Sequence, residues 1–351
     1  MRDLIDIGFD GMIFGLQPLG GITNYAFEMA FRYSQHPEVA LTMGWPHEII
    51  SKRRSQIEAL GQASVTDRIP NRFGRYGKSP LRTPFVHSSY YRLSKRRNSI
   101  NVVTAYDFVY ERYRSGLAAF VHGVQKRHVC ENADLILCIS ENTRNDLLDS
   151  YSTIGDDRVL VTHLGVDGST FFEPKELCPD YANAVIFVGE RNGYKRFDLA
   201  VNAVALSLQD LVIVGGSLSA KELELLEGAL KGRWRFAGRL SDVELRTVYG
   251  SAYAFIYPSD YEGFGLPILE AQACGCPAVV ANRSSFPEVG RDAAIYAAEQ
   301  TPEAYADCLA NLEVTETRDV TRKKGLANAS SFHWDKTFDD TLAAIGKVTG
   351  K

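Results

Sequence analysis

Glu262 and Glu270 stand on either side of the turn Gly263-Phe264-Gly265, and Leu266 opens a helix directly after it. Backbone N–H groups at such a turn and helix start lack partners, and the helix dipole is positive there. The segment can therefore hold an anion or a set of hydroxyl groups. The two carboxylates are eight positions apart, which suits two ends of one elongated polar ligand better than a shared proton. The plain alternative is a turn whose acids only cap and solvate a helix. A second cluster lies in Val188-Gly189-Glu190-Arg191-Asn192-Gly193-Tyr194-Lys195. Arg191 and Lys195 beside a glycine-containing turn suit a diphosphate. They would neutralise the charge that grows as a nucleoside diphosphate departs. A solvated basic loop is the competing reading.

Two weaker groups follow. Gly20-Gly21, ahead of Ile22-Thr23-Asn24, would let the backbone approach a ligand with helix N–H groups aimed outward, although a plain loop explains glycine pairs more often. Tyr106 and Asp107 end the apolar run Val102-Val103-Thr104-Ala105, and His87 ends an earlier one. A tyrosine of ordinary pKa near 10 is a poor base at neutral pH, a histidine near 6.5 a suitable one. A lone histidine is still more often a packing residue than a reacting one.

These loops need strands that stop at them and helices that start from them. The pattern predicts a strand at Leu4–Phe9, a helix from Thr23 to Ser34, a helical stretch Leu117–Cys130, and apolar strands at Asn101–Thr104 and Leu135–Ile139. Ser140 then has the chemistry of a helix N-cap. Residues 61–99, rich in Gly, Pro, Arg and Ser, read as a long, basic, partly mobile loop. A second series runs through strands Ala184–Val188, Leu211–Val214, Trp234–Ala237 and Ala254–Tyr257, with helices between them. Short apolar strands alternating with helices predict an α/β chain with two doubly wound, Rossmann-like parallel-sheet domains. Ligands in such sheets bind outside the carboxyl ends of the strands, and a cleft between two such domains is the natural place for one. The expected boundary separates 1–167 from 168–331, and an amphipathic helix at about 332–351 is expected to pack back onto the first domain.

A length of 351 residues, with 45% hydrophobic and 23% charged residues, is that of an ordinary globular protein of about two domains. The six cysteines show no Cys-x-x-Cys spacing, so reduced thiols in a cytoplasmic protein are the simple reading. No basic segment followed by a long apolar one opens the chain, and no run is long enough to span a bilayer. The net charge of −4 hides a polarity. Residues 45–130 carry 16 basic and 5 acidic side chains, an excess of 11. The excess suits a solvated surface or an anionic membrane, and no nucleic-acid recognition motif accompanies it.

The segment from Glu262 to Glu270 resembles the signature of the retaining glycosyltransferases of family four, the glycosyl transferases group 1 set, which have the two-domain GT-B fold. The likeness extends from Gly20 to Glu288 and includes Val161–Asp167 and Gly238-Arg239-Leu240-Ser241-Asp242. It implies that Glu262 and the amides of Gly263, Phe264 and Gly265, with Leu266 behind them, hold the sugar hydroxyls and phosphate. It also implies that Glu270 holds the ribose, Arg191 and Lys195 the diphosphate, Gly20 and Gly21 the opposite side of the phosphates, and Leu240 the base. One departure is Glu190, where many members place the arginine. Another is Tyr106, where relatives have a histidine facing the sugar. Asp107 is kept, and Tyr106, Asp107 and His87 are, with Glu262, the candidates for a catalytic part.

The implied activity is transfer of a sugar, mannose or a similar hexose, from a GDP- or UDP-linked donor to a glycan or lipid-linked acceptor, as in O-antigen or exopolysaccharide synthesis. The implied mechanism retains the anomeric configuration and uses no metal or other cofactor; the chain has no Asp-x-Asp. The expected location is the cytoplasm, peripheral on the inner face of the membrane. Competing readings are a nucleotide-sugar epimerase or phosphorylase of the same architecture and a non-catalytic sugar-nucleotide-binding partner. A dinucleotide-dependent oxidoreductase is disfavoured because no Gly-x-Gly-x-x-Gly occurs.

Overall fold

A computed structural model describes residues 4–18, 20–51, 54–60, 63–191 and 193–349. Lys52 and Arg53 of the basic segment, Asn192 of the cationic loop and the last two residues of the expected terminal helix lie outside them. The chain divides into two compact units, one of residues 1–164 with 334–351 and one of residues 165–333.

The first unit is built on strands β1 (Ile5–Asp10), β2 (Val39–Trp45), β3 (Ala63–Thr66), β4 (Phe85–Ser88), β5 (Ile100–Ala105), β6 (Leu135–Cys138) and β7 (Val159–Val161). They form one parallel sheet in the order β3-β2-β1-β4-β5-β6-β7. All four residues of β6 are buried. A strand covered on both faces by helices has no solvent side, and its sequence is a continuous apolar run. Helices Gly21–Gln35, Leu117–Asn132 and Glu141–Ser150 make crossovers, and the Ser140 side chain caps the last by accepting from the Thr143 N–H. The terminal helix Trp334–Thr349 packs on this unit. Phe338 meets the ring of Tyr33 edge-on at 5.2 Å, and the Thr337 hydroxyl donates to the His163 carbonyl at 2.7 Å.

Residues 61–99 are not the long loop that their composition suggests. They contain β3 and β4, and β4 lies at the centre of the sheet between β1 and β5. Strand β4 is only four residues long, too short to stand out among the surrounding Gly, Pro and Arg. Arg92 returns the following chain to the sheet: it is 1% exposed and binds the Asp67 carboxylate at 2.7 Å and the Lys78 carbonyl at 2.8 Å.

The second unit has strands β8 (Ala184–Val188), β9 (Asp210–Val214), β10 (Trp234–Gly238), β11 (Ala254–Tyr257), β12 (Ala278–Ala281) and β13 (Ile295–Ala297), all parallel, in the order β10-β9-β8-β11-β12-β13. Its core joins Val185, Phe187 and Ile213 of the sheet to Leu199 and Val204 of helix Phe197–Ala205 and Leu226 of helix Ala220–Leu230. In each unit the strand order reverses once, between β1 and β4 and between β8 and β11. Such a reversal leaves a crevice at the carboxyl ends, where the flanking connections turn to opposite faces. No helix among the described residues is long and apolar enough to cross a membrane.

Candidate active site

The crevice of the second unit is occupied by two of the expected site residues. Lys195 follows β8 and Glu262 follows β11, and the Lys195 ammonium donates to the Glu262 carboxylate at 2.5 Å. It also donates to the Tyr257 hydroxyl at 3.0 Å. Both side chains of the pair remain 14% exposed. Burial works against the charge on Lys195, but the Tyr257 hydroxyl and the Glu262 carboxylate outweigh it and hold the ammonium above its usual range. The site thus keeps a fixed positive charge at neutral pH.

Backbone geometry explains how Glu262 is held. Ser284 lies in the left-handed region at φ 55°. From there its hydroxyl accepts from the Glu262 N–H at 3.1 Å and donates to the Glu262 carbonyl at 2.7 Å. Ser285 donates to the Phe264 carbonyl at 2.6 Å. A strained residue that makes such a brace is over-determined by its surroundings, as backbone outliers at functional sites commonly are. Gly265, at φ 110°, starts helix Leu266–Ala273 with no side-chain cap. A Cβ there would press on Phe286 at 3.2 Å, and a left-handed φ would strain any other residue. Phe264 is buried behind the turn, and Gly263 with it. Leu266, in the first turn, is half-buried.

Glu270 lies on that helix, half-buried by its own surface. Burial first, and the Asp242 carboxylate second, raise its carboxyl to about 7. Leu240 is half-buried between β10 and the helix Asp242–Ser251. Glu190, the departure in the cationic loop, accepts from Arg239 at 2.8 Å, with both side chains largely exposed. Arg191 differs from a free phosphate ligand. Its Nε donates to Glu222 at 2.8 Å, and one terminal nitrogen donates to the carbonyls of Gly216 and Ser217, each at 2.7 Å. Among the described residues Nη1 has no hydrogen-bond partner and lies buried beside Gly215. Arg191 therefore stiffens the end of β9, with one donor left over.

The first-unit candidates are held differently. His87 is fully buried in β4; its Nδ1 is 3.1 Å from the Tyr33 hydroxyl and its Nε2 is 2.9 Å from the Thr104 hydroxyl. Burial pushes its pKa down to about 3. It is a core histidine with both ring nitrogens engaged by hydroxyl groups. Tyr106 is 3% exposed, packs edge-on against Tyr25, and donates to the Ser89 carbonyl at 3.1 Å. Burial raises its pKa well above the ordinary value, so it stays a protonated phenol at neutral pH, and its hydroxyl donates to the protein backbone. Asp107 is half-buried at the end of β5, and its carboxylate accepts from the Val109 N–H at 2.9 Å. Gly20, at φ 145°, and Gly21 are exposed at the uncapped start of helix Gly21–Gln35.

Sequence reasoning missed Tyr257, Ser284, Ser285 and Glu222. Ser284 and Ser285 are brought to the site by the chain's return after β12, and Tyr257, five positions before Glu262 at the end of β11, reads in the sequence only as one more residue of an apolar strand. Glu222 does carry a signal, the Ser219-x-x-Glu222 capping box.

Residues 169–325 match the family model described as glycosyl transferases group 1. The chain is 29% identical over 232 residues to O-antigen chain mannosyltransferase B of Escherichia coli, covering 61% of this chain and 61% of that protein. The likeness thus spans about three fifths of the relative's length. Among solved structures, sucrose-phosphate synthase from Thermosynechococcus elongatus superimposes with a TM-score of 0.76 at 18% identity, covering 99% of this chain and all of that one. Anabaena HepE in complex with UDP-glucose does so with a TM-score of 0.72 at 14% identity, covering 97% and 99%. These likenesses show the fold: two doubly wound parallel-sheet domains of GT-B type.

Proposed function

We propose, from the match of residues 169–325 to the glycosyl transferases group 1 model, that the chain transfers a hexosyl group, mannose or a close analogue, from a GDP- or UDP-linked donor to a glycan or lipid-linked acceptor. The observation that carries this reading is the Lys195–Glu262 pair in the β8/β11 crevice, beside the uncapped helix start at Gly265. A donor diphosphate would take over the Lys195 ammonium, with the spare Nη1 of Arg191 as a second donor. Glu262, released from Lys195, and the amides of Gly263, Phe264 and Gly265 would then meet sugar hydroxyls. Glu270 would accept from the ribose, and Leu240 would border the base. In the first unit, Gly20 and Gly21 at the uncapped start of helix Gly21–Gln35 would offer amides to an anion, and that unit would bind the acceptor.

In the retaining mechanism we propose, the bond between the anomeric carbon and phosphate oxygen breaks. The acceptor oxygen bonds to that carbon on the same face, and its proton passes to the departing phosphate. No side-chain base is then required, which agrees with a His87 sealed in the core and a Tyr106 bound to backbone. Lys195 stabilises the charge that develops on the leaving group, and the protein otherwise supplies orientation. No metal or other cofactor enters this scheme. The name of the mannosyltransferase relative supports O-antigen synthesis; in this reading the protein works on O-antigen or exopolysaccharide at the cytoplasmic face of the membrane, with the basic segment 45–130 meeting anionic lipid.

The test is a panel of GDP- and UDP-sugars, read by thermal shift and by nucleotide release with and without saccharide acceptors and a chelator. We expect one donor to stabilise the protein, acceptor to accelerate release, chelator to change nothing, and NMR of the product to show a retained anomer. A panel in which no nucleotide sugar binds or turns over would remove this reading.

A further inference from the structure

Helix Leu117–Asn132 turns His122, Gln125 and Lys126 inward and presents the apolar side chains of its first two turns outward. Leu117 is 78% exposed, Phe120 69%, Val124 53% and Val121 36%. Their spacing of i, i+3, i+4 and i+7 puts them in one stripe. The inward face explains why. Lys126 is wholly buried, its ammonium 3.2 Å from the Glu111 carboxylate and 3.3 Å from the centre of the Phe108 ring, and it donates to the Asp107 carbonyl. His122 is buried too and stacks on Tyr110 at 4.2 Å. Gln125 donates to the Tyr91 carbonyl at 3.0 Å. With these polar groups fixed inward, helical geometry leaves the apolar stripe facing out.

The neighbouring helix Val109–Tyr113 adds the exposed rings of Tyr110 and Tyr113. A cavity of about 470 Å³ lies beside the stripe, lined by Phe120 and Val124 together with Arg114 and Arg127. Arg112, Arg114 and Arg127 are exposed on this rim; Arg112 is paired with Asp146 and Arg127 with Glu131, so Arg114 carries the outward positive charge. Glu111, the carboxylate among the lining residues, is tied to Lys126. A surface that is apolar in depth, carries tyrosines at its edge and is rimmed by arginine matches an anionic bilayer. Its interior asks for no hydrogen bonds, and its headgroups attract the guanidinium groups.

We infer that helix Leu117–Asn132 lays Leu117, Phe120, Val121 and Val124 into the headgroup and acyl boundary of an anionic membrane. This rests on the membrane part of the reading above and is independent of the donor site. The experiment is flotation of the full chain on phosphatidylcholine vesicles with and without phosphatidylglycerol. It compares wild type with Phe120→Ser/Val124→Ser and adds Phe120→Trp as a depth probe. Wild type is expected to float on the acidic vesicles. The double variant, altered only at exposed positions, should keep its melting temperature and partition roughly ten- to hundred-fold less, from the apolar area withdrawn. In Phe120→Trp, emission from the introduced indole should shift to the blue on acidic vesicles. Equal flotation of wild type and double variant, with no blue shift, would leave charge alone as the anchor and overturn the inference. A wild type that does not float would overturn it together with the membrane reading, leaving the donor reading untouched. A dimer of wild type that the double variant dissociates would also overturn it, assigning the stripe to a second copy of the chain.

Discussion

The two units share one topology and use its crevice in opposite ways. At the β8/β11 reversal, Lys195 and Glu262 face each other while still reached by solvent. At the β1/β4 reversal, the carboxylate of Asp10 at the end of β1 is 3.5 Å from Arg92, which is closed in with Asp67 and Lys78. His87 on β4 is sealed beneath. The sheet supplies the crevice in both cases. Whether it receives a ligand depends on whether the chain fills it with its own side chains, as the first unit does with Arg92. An ion pair of similar composition is thus a structural pin in one place and a site that can exchange partners in the other.

The largest expected effect tests the pinned end. Arg92→Met should destabilise the protein by about 3–5 kcal/mol, because it leaves two buried carboxylates without their cation. The check is chemical denaturation, and a loss under about 1 kcal/mol, the scale of a surface pair, would mean that the crevice is not closed by Arg92. At the open end, Lys195→Ala should leave the fold nearly unchanged and weaken nucleoside-diphosphate binding by about 1.5–3 kcal/mol, the range for charge-assisted hydrogen bonds. Calorimetry with GDP and UDP measures it. Unchanged affinity would remove Lys195 from the site and erase the contrast.

Tyr106→Phe should cost about 0.5–1.5 kcal/mol of stability, the value of one neutral hydrogen bond to the Ser89 carbonyl, and transfer should slow little. A thousand-fold loss of rate with donor binding intact would show that the hydroxyl does chemistry.

The last test concerns Glu270, whose raised pKa means that the folded state holds a proton more tightly than the unfolded one. Its contribution to stability is therefore complete below the unfolded pKa, near 4.3, and is lost as pH rises through about 7. Glu270→Gln should match wild type in melting temperature at pH 4 and exceed it at pH 8, while binding nucleosides less well. Parallel melting curves across that range would show that the carboxyl is not held protonated.

Much of this arrangement was legible in the residues. The alternation of short apolar strands with helices specified two parallel sheets, because only strands buried on both faces are continuously apolar. The turn after Tyr257 was legible because Gly263 and Gly265 beside two glutamates make a local pattern. Strand β4 was only partly legible: the short run ending at His87 showed, but four residues among Arg, Gly and Pro carry too little periodicity to displace the loop reading of residues 61–99. Spacing could not say that Arg191 would be drawn to Glu222, or that the histidine of Phe85-Val86-His87 would find partners for both ring nitrogens inside the core.

By itself, then, the sequence determined what is local: strand, turn and helix identities, and the chemistry held in contiguous motifs. Tertiary structure alone decided which charges meet. Lys195 and Glu262 are 67 positions apart, Asp10 and Arg92 are far apart in sequence too, and the outward face of Leu117–Asn132 was set by partners that Lys126 finds near β5. The reason is that Coulomb and hydrogen-bond energies depend on distance and burial, which a chain acquires only when its sheets close.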